Sequence, residues 1–555
     1  MADQLIFDLS ASQPMDGEPF SRRDMLYVND QNGTSGYGGN QVIIDTASLS
    51  NSGRWCNYSE GFITVPLTIV LSADALTGNI DDSVGADFIC GLKSGHYQLI
   101  NSISVEMNNT SIIQQTNLTN AHISYRLNTT MSDDDVKLHG ATIGYSPDSS
   151  DSWDYETGTR GSTNDSLVGG FNPVTTQYVG TNFNAGAYDR QLINAFGISG
   201  TNGASDLINS TSLQQYNKTR AFPKTGSAGV TQISKVWWVN AVIRLKDLHP
   251  FFSPESLPLL KGAYFKFYLN LNQSITKFTV TTSGGIDNYN ITSVNVFGGG
   301  SNPLMLYKNG ASPLTDGQAY TCSVSVKSPI ESTQTALTNA VCQFDSSCKL
   351  WVPAYVMNPA REAQYLEMNR RKTIKYEDIY SYQFKNQSSN FSILVSNGVS
   401  RLTKVVVIPQ LSAEPTGTAG AQYVPSQSPL ASEPATCSPL SLINEYNVQI
   451  SGVNAFQDNQ KYGYIQFLTE LVGQGTNGGI TTGLSSGQIS KADFEQMYGY
   501  LLVDAKRRLG PAFQAPASVQ LTGTVQCLKP LDLYTFLSFE RELTVDTFTG
   551  DIVSA

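Results

Sequence analysis

Charged side chains are scarce in this chain, only 15% of 555 residues, and those present lean acidic, with a net charge of −11 and a pI near 4.9. Such a balance argues against coating nucleic acid or an anionic membrane, because both need clustered Lys and Arg. No apolar run approaches the roughly 20 residues that span a bilayer. The opening MADQLIFDLSASQPM has neither a basic arm nor the basic and apolar regions of a secretory leader, so the expected product is a soluble protein made in a cytosol. Cysteine is odd in number and dispersed, at Cys56, Cys90, Cys322, Cys342, Cys348, Cys437 and Cys527, which suits buried free thiols rather than a disulfide framework. Cys342 and Cys348 form the one close pair, and a metal site on them would need histidines at ligand spacing. His96, His122, His139 and His249 are scattered instead.

Catalytic signatures are missing too. The sequence has no Gly-x-Ser-x-Gly elbow, phosphate loop, dinucleotide fingerprint or His-Glu-x-x-His. Sandwich-fold glycosidases use two carboxylates about 5 to 9 Å apart, but nothing in the sequence selects such a pair. No catalytic, cofactor-binding or metal-ligating residue is assigned, and neither enzyme activity nor a cofactor is expected.

What is present is sheet material. Apolar residues make up 40% of the chain, with 47 glycines and abundant Asn, Ser, Thr and Gln, the composition of a strand-rich protein with long polar loops. The length predicts roughly two to four domains. Ile63, Val65, Leu67, Ile69 and Leu71 alternate with polar or small neighbours, as do Ile123, Tyr125 and Leu127, predicting half-buried strands. Strands are also expected around Val236 to Leu245, Leu350 to Val356, Ile374 to Phe384, Phe391 to Val395, Arg401 to Ile408 and Tyr446 to Ile450. Between them lie polar excursions at about 130–228 and 412–439, which belong on an exposed face. A turn-rich stretch from Ser283 to Gln318 marks the expected boundary, dividing the chain into 1–300 and 301–555.

One pattern occurs twice. In RLKDLHPFFSPESLPLLKGAYFKFYLNL (Arg244 to Leu271), Ser253 and Pro254 offer a helix start and Gly262 a stop. Phe265, Phe267, Leu269 and Leu271 then alternate with Lys266, Tyr268 and Asn270. Near the C-terminus Ser490 and Asp493 form a capping box, and Phe494, Met497, Tyr498, Leu501, Leu502, Ala505 and Leu509 share one helical face, predicting a helix over about 490–509. Val519, Leu521 and Val525 follow with strand alternation. The natural class is an antiparallel sandwich built twice.

The segments RLKDLHPFF, GAYFKFYLNLN, RLTKVVVIPQL, YNVQISG and LSFERELTVDTFTGDIV, in this order, resemble the double jelly-roll major capsid proteins of double-stranded DNA viruses, particularly those of polinton-like viruses and virophages. The resemblance implies two antiparallel jelly-roll β-sandwiches side by side, with short helices in loops. It further implies three copies forming a homotrimeric capsomer of pseudo-hexameric outline that tiles an icosahedral virion shell. The partners implied are further copies of the chain, penton proteins and minor capsid proteins, with DNA left to other components.

Competing classes are a carbohydrate-binding or carbohydrate-active β-sandwich and a fibre; the sequence lacks the end-to-end repeats of the latter. Local features have plainer readings. Lys506-Arg507-Arg508 complement a helix C-terminus, and Trp237-Trp238, adjacent in a strand, face opposite sides. Asp81, Asp82 and Asp87 lack the oxygen spacing of a calcium loop. Sequons such as Asn57, Asn117, Asn128, Asn209, Asn272 and Asn390 arise by chance in so Asn-, Ser- and Thr-rich a chain, and are expected to be bare.

Overall fold

The computed structural model describes residues 19–32, 37, 40–73, 88–148, 191–192, 219–225, 231–282, 289–297, 301–308, 319–326, 347–412, 443–473, 487–506, 511–527 and 530–554. Two sets of eight strands carry the architecture. The first comprises β1 (Phe20–Asn29), β2 (Gln41–Asp45), β3 (Phe62–Ala73), β4 (Ile100–Met107), β5 (Thr110–Asn117), β6 (Thr231–Arg244), β7 (Phe265–Leu271) and β8 (Lys349–Met357). The second comprises β9 (Arg371–Gln387), β10 (Asn390–Val399), β11 (Leu402–Leu411), β12 (Ile443–Ile450), β13 (Val453–Asn454), β14 (Leu501–Asp504), β15 (Ala517–Val525) and β16 (Leu531–Asp546). All pairings are antiparallel, and both sets pair identically. The first strand lies beside the eighth, the eighth beside the third and the third beside the sixth, giving β1-β8-β3-β6 and β9-β16-β11-β14. The facing sheets run β2-β7-β4-β5 and β10-β15-β12-β13. Each set is therefore an eight-stranded jelly roll.

Side-chain alternation explains why the sheets face as they do. Residues of β7 alternate between buried and half-buried along its length, and those of β15 do likewise. The buried sets, Phe265, Phe267, Leu269 and Leu271 in one roll and Val519, Leu521 and Val525 in the other, enter separate cores. Ile63, Val65, Leu67, Ile69 and Leu71 of β3 close the first core from the opposite sheet. Each such side chain contributes roughly 1.5–3 kcal/mol by leaving water.

Among the described residues, the helices of ten or more residues lie in the connections: α1 (Thr119–Thr130) between β5 and β6, α2 (Pro359–Asn369) between the rolls, and α3 (Tyr464–Gly473) between β13 and β14. The start of α2 is encoded locally. Asn358 accepts from the Ala360 N–H at 3.3 Å, and Pro359 takes the first helical position. Glu362 of α2 then accepts from Trp55 Nε1 at 3.0 Å and Lys261 Nζ at 2.5 Å, pinning the connection to the first roll.

Four expectations need correction. The division is not at residue 300. Ala319–Val326 pairs with β3 (Val326 opposite Leu67), and β8 pairs with both β1 and β3, so the first roll extends to Met357 and the second begins at Arg371. The turn-rich stretch after Ser283 lies inside an insertion between β7 and β8, which also carries strands Ser274–Thr282, Tyr289–Phe297 and Leu304–Lys308. Composition marks a loop, whereas strand pairing decides which unit it belongs to.

The helix expected over 490–509 is cut short. The Ser490–Asp493 capping box is present, but Gly499 takes φ 47°, ending the helical turns at Tyr498, and Leu501–Asp504 is strand β14. Ile123, Tyr125 and Leu127 lie on α1, not on a strand. Ser253 does not start a helix. The turns there are Leu245–Leu248 and Pro250–Phe252, the latter capped by the His249 side chain. Most of the excursions at 130–228 and 412–439 lie outside the described residues.

Candidate functional site

The rolls meet along an unusually long ribbon. β9 and β16 stay paired from Arg371 opposite Asp546 to Gln387 opposite Leu531. One half of the ribbon sends Ile374, Tyr376, Leu543 and Val545 into the first core, while the other sends Leu533 and Leu537 into the second. A single hydrogen-bonded element thus belongs to both units.

Where the ribbon crosses between the cores, Asp378 is fully buried, with His249 of the first roll beside it. Arg541 Nη1 donates to Asp378 Oδ2 at 2.9 Å and to the Ile112 carbonyl at 3.1 Å; the Ile379 N–H donates to Asp378 Oδ1 at 2.9 Å. The Tyr376 hydroxyl donates to the same Ile112 carbonyl at 2.7 Å. His249 Nδ1 accepts from the Phe251 N–H at 3.2 Å, which places the ring proton on Nε2, 3.3 Å from Asp378 Oδ1. That is ion-pair range without the alignment of a good hydrogen bond.

Burial pushes Asp378 upward, but His249, Arg541 and the Ile379 N–H outweigh it and hold the carboxyl below its ordinary range. For His249 burial wins over the nearby carboxylate, so the imidazole is neutral near pH 7. The arrangement is a neutral histidine and an arginine sharing one buried carboxylate. It joins the two units.

A second contact covers the outer face of sheet β9-β16-β11-β14. The row nearest the start of β11 consists of Ile379, Ser538 and Lys404. Helix α1 of the first roll lies over it. The His122 ring is 5.1 Å from Phe536, Tyr125 meets Tyr500 edge-on at 5.2 Å, and the Thr116 hydroxyl donates to the Ile379 carbonyl at 3.2 Å. Asn128 Nδ2 donates to the Tyr500 hydroxyl at 3.0 Å, and Asn128 Oδ1 accepts from Tyr145. Burial, aided by Arg126 and Lys404, holds His122 well below the ordinary imidazole pKa. Helix α3 covers the same sheet from its own roll through Phe467 and Leu471.

In the equivalent outer face of the first roll, Thr64 and Thr68 of β3 are buried, but among the described residues no helix covers the part formed by β1. Tyr27 pairs with Trp351 across β1 and β8, and Trp351 pairs with Phe62 across β8 and β3, occupying the same row. The Tyr27 and Trp351 rings lie 5.0 Å apart, Phe62 stacks on Trp351 at 6.2 Å, and Lys349 Nζ sits 5.0 Å above Tyr27. Tyr27 is nevertheless 52% exposed and Met25 48%.

Of the local features singled out in the sequence, Asp81, Asp82, Asp87, Cys342, Arg507 and Arg508 lie outside the described residues. Trp237 and Trp238 sit in β6 opposite Ile69 and Thr68. Cys348 is buried, its N–H donating to Asp30 Oδ2 at 2.9 Å. Asn57, Asn128 and Asn272 are fully buried, so no sugar fits there in the folded chain, while Asn117 and Asn390 are exposed. Among the described residues, no group of three His, Cys, Asp or Glu could hold a metal ion, and no helix is long and apolar enough to cross a membrane.

Sequence reasoning missed both the junction and the open face. His249, Asp378 and Arg541 come from distant segments and carry no local signature. The open face left a trace: Met25 and Tyr27 alternate with Leu26 and Val28, so β1 is apolar on both sides, as only a strand covered on both sides should be.

The sequence matches no known protein family and no curated protein. Among solved structures, the chain is similar to a chain of the Sputnik virophage determined by cryo-EM. Identity is 12% and the TM-score 0.49, covering 98% of this chain and 90% of that one. It is also similar to the mavirus major capsid protein (11% identity, TM-score 0.43, 98% of this chain and 93% of that). A third similarity is to the Faustovirus major capsid protein (11% identity, TM-score 0.41, 98% of each chain).

Proposed function

We propose that this chain is a viral major capsid protein, a structural subunit and not an enzyme. In this reading three copies form a pseudo-hexameric capsomer, and capsomers tile an icosahedral shell around a double-stranded DNA genome. The observation that carries the reading is the repetition of one strand order in two rolls locked side by side by the β9–β16 ribbon. A shell subunit needs rigid lobes that hold their angle under load, with connections free to vary between them. A buried ion cluster at the joint and a ribbon common to both cores supply that rigidity. Two lobes per chain become six about a threefold axis, and a closed ring leaves no unpaired contact surface. The acidic balance of the chain leaves the genome to other components, and penton and minor capsid proteins complete the shell.

The test is mass by light scattering, at low and high salt, with and without DNA. A trimer that persists in high salt without DNA is expected, since largely apolar interfaces above about 2,000 Å² resist salt. A monomer at every concentration, or an oligomer that forms only on adding DNA, would overturn the reading.

A further inference from the structure

We propose that the open face of the first roll is covered by α3 of a second copy of this chain, so that the contact made by α1 within the chain recurs between chains. This rests on the capsomer reading and names the surfaces that close it. Within one chain, the helix between the fifth and sixth strands of the first roll packs Ile123 and Leu127 into its own core and lays Tyr125 on the outer face of the second roll's sheet, beside the row Ile379, Ser538 and Lys404. The helix between the fifth and sixth strands of the second roll is α3. One side of it, Phe467 and Leu471, is buried against its own roll. On its other side Ile465 is 64% and Val472 38% exposed, with Thr469 exposed between them. Spacings of four and three residues put these on one helical stripe.

That stripe carries no charge. The one carboxylate of α3, Glu470, is buried and accepts from the Asp504 N–H at 2.8 Å, and the helix has no Lys or Arg. A helix apolar on both sides is one that expects burial on both. The surface it fits is the row of Tyr27, Trp351 and Phe62 with Met25 beside it, which occupies in the first roll the place that α1 covers in the second. Lys349 lies flat over Tyr27 and Trp351, at 5.0 and 5.9 Å, and meets no opposing cation from α3. The contact joins unlike surfaces, α3 of one copy to the first roll of the next, so it propagates head to tail and closes after three chains when the two kinds of joint turn by equal angles.

Two measurements on the full chain test this. Ile465→Asp places a charge on a solvent-facing position, so the monomer keeps its fold and thermal transition, while trimer dissociation is expected to rise about 30-fold or more. The pair Tyr27→Cys with Ile465→Cys is expected to form disulfides between chains on mild oxidation, giving species up to three chains, with each single-cysteine variant as control. A wild-type trimer that neither cross-links through this pair nor responds to Ile465→Asp overturns the inference and leaves the capsomer reading standing. A cross-link within one chain overturns it as well. A wild-type chain that is monomeric throughout overturns both.

Discussion

The two rolls pair their strands in one order yet spend very different lengths of chain on it. The first runs from Phe20 to Met357 and carries added strands between β3 and β4, β5 and β6, and β7 and β8, while the second needs only Arg371 to Asp546. Strand order therefore survives large insertions, because ladder pairing and core alternation fix it and connections do not. The rolls differ again on their outer sheet faces. The second is covered by α1 and α3, and the first exposes Met25 and Tyr27. The second roll carries the cover of this surface within the same molecule, and in the proposal above the first takes its cover from another copy.

The largest effects should come from the joint between the rolls. Asp378→Ala leaves Arg541 and the buried His249 facing each other without a carboxylate, and loss of one partner from a buried charge cluster costs about 3–5 kcal/mol. Urea unfolding should show a correspondingly lower midpoint. A shift below about 1 kcal/mol would mean that the joint does not depend on this cluster.

The covered and open faces should separate next. Phe536→Ala removes a ring buried beneath α1 and should cost about 3–5 kcal/mol. Tyr27→Ala on the open face of a monomer should cost under about 1 kcal/mol, since the ring is already half in water. Equal effects in a monomeric preparation would erase the distinction between the faces.

Acid should loosen the joint before the rest. His122 and His249 are buried and held neutral, with folded pKa values below the ordinary 6.5, and half-buried His96 is pushed down by desolvation to about 4. Unfolded imidazoles take up protons at higher pH than these do. Their contribution to stability is therefore complete above about pH 6.5 and is lost as pH falls below it, for His96 down to about 4. Each histidine adds up to about 1.4 kcal/mol per pH unit in that window. Urea midpoints should fall from pH 7 to pH 5, and His122→Asn should flatten the slope. A midpoint unchanged between pH 7 and pH 5 would show that the rings take up protons as readily in the folded chain as in the unfolded one.

Period-two alternation made β3, β7 and β15 legible in the sequence, because each has one face in a core and one outside it. The same rule misread α1. Nine of its twelve residues are buried, among them Asn120, His122, Ser124 and Asn128, since the helix lies between two rolls and shows no polar side. What remained was an accidental alternation at Ile123, Tyr125 and Leu127. The stretch Tyr500 to Val503 failed in the opposite sense: a short, wholly buried strand is as apolar as a helix face, and only the left-handed Gly499 separates it from the turns before. The boundary was hidden because an insertion and a linker have the same composition. The His249, Asp378 and Arg541 cluster was hidden because its members meet only after both rolls have formed.

The smallest expected effect isolates burial from charge on a single ribbon. Lys375 stands opposite Glu542 across β9 and β16, as Asp378 stands opposite Phe539 a few residues along. The Lys375 Nζ to Glu542 distance is 3.8 Å, with the two side chains 73% and 41% exposed. Water screens this pair, and Glu542 also lies 3.6 Å from Arg401. Lys375→Ala should therefore change stability by less than about 0.5 kcal/mol, and the difference should vanish in about 1 M salt, where the Debye length is near 3 Å. Asp378→Ala should keep most of its cost in the same salt, because Asp378 and His249 are shut away from the solvent ions and Arg541 is only 28% exposed. Urea midpoints for both variants at low and high salt check this directly. If salt rescued Asp378→Ala as it does Lys375→Ala, the joint would be an ordinary surface contact, and the rolls would be free to turn against each other.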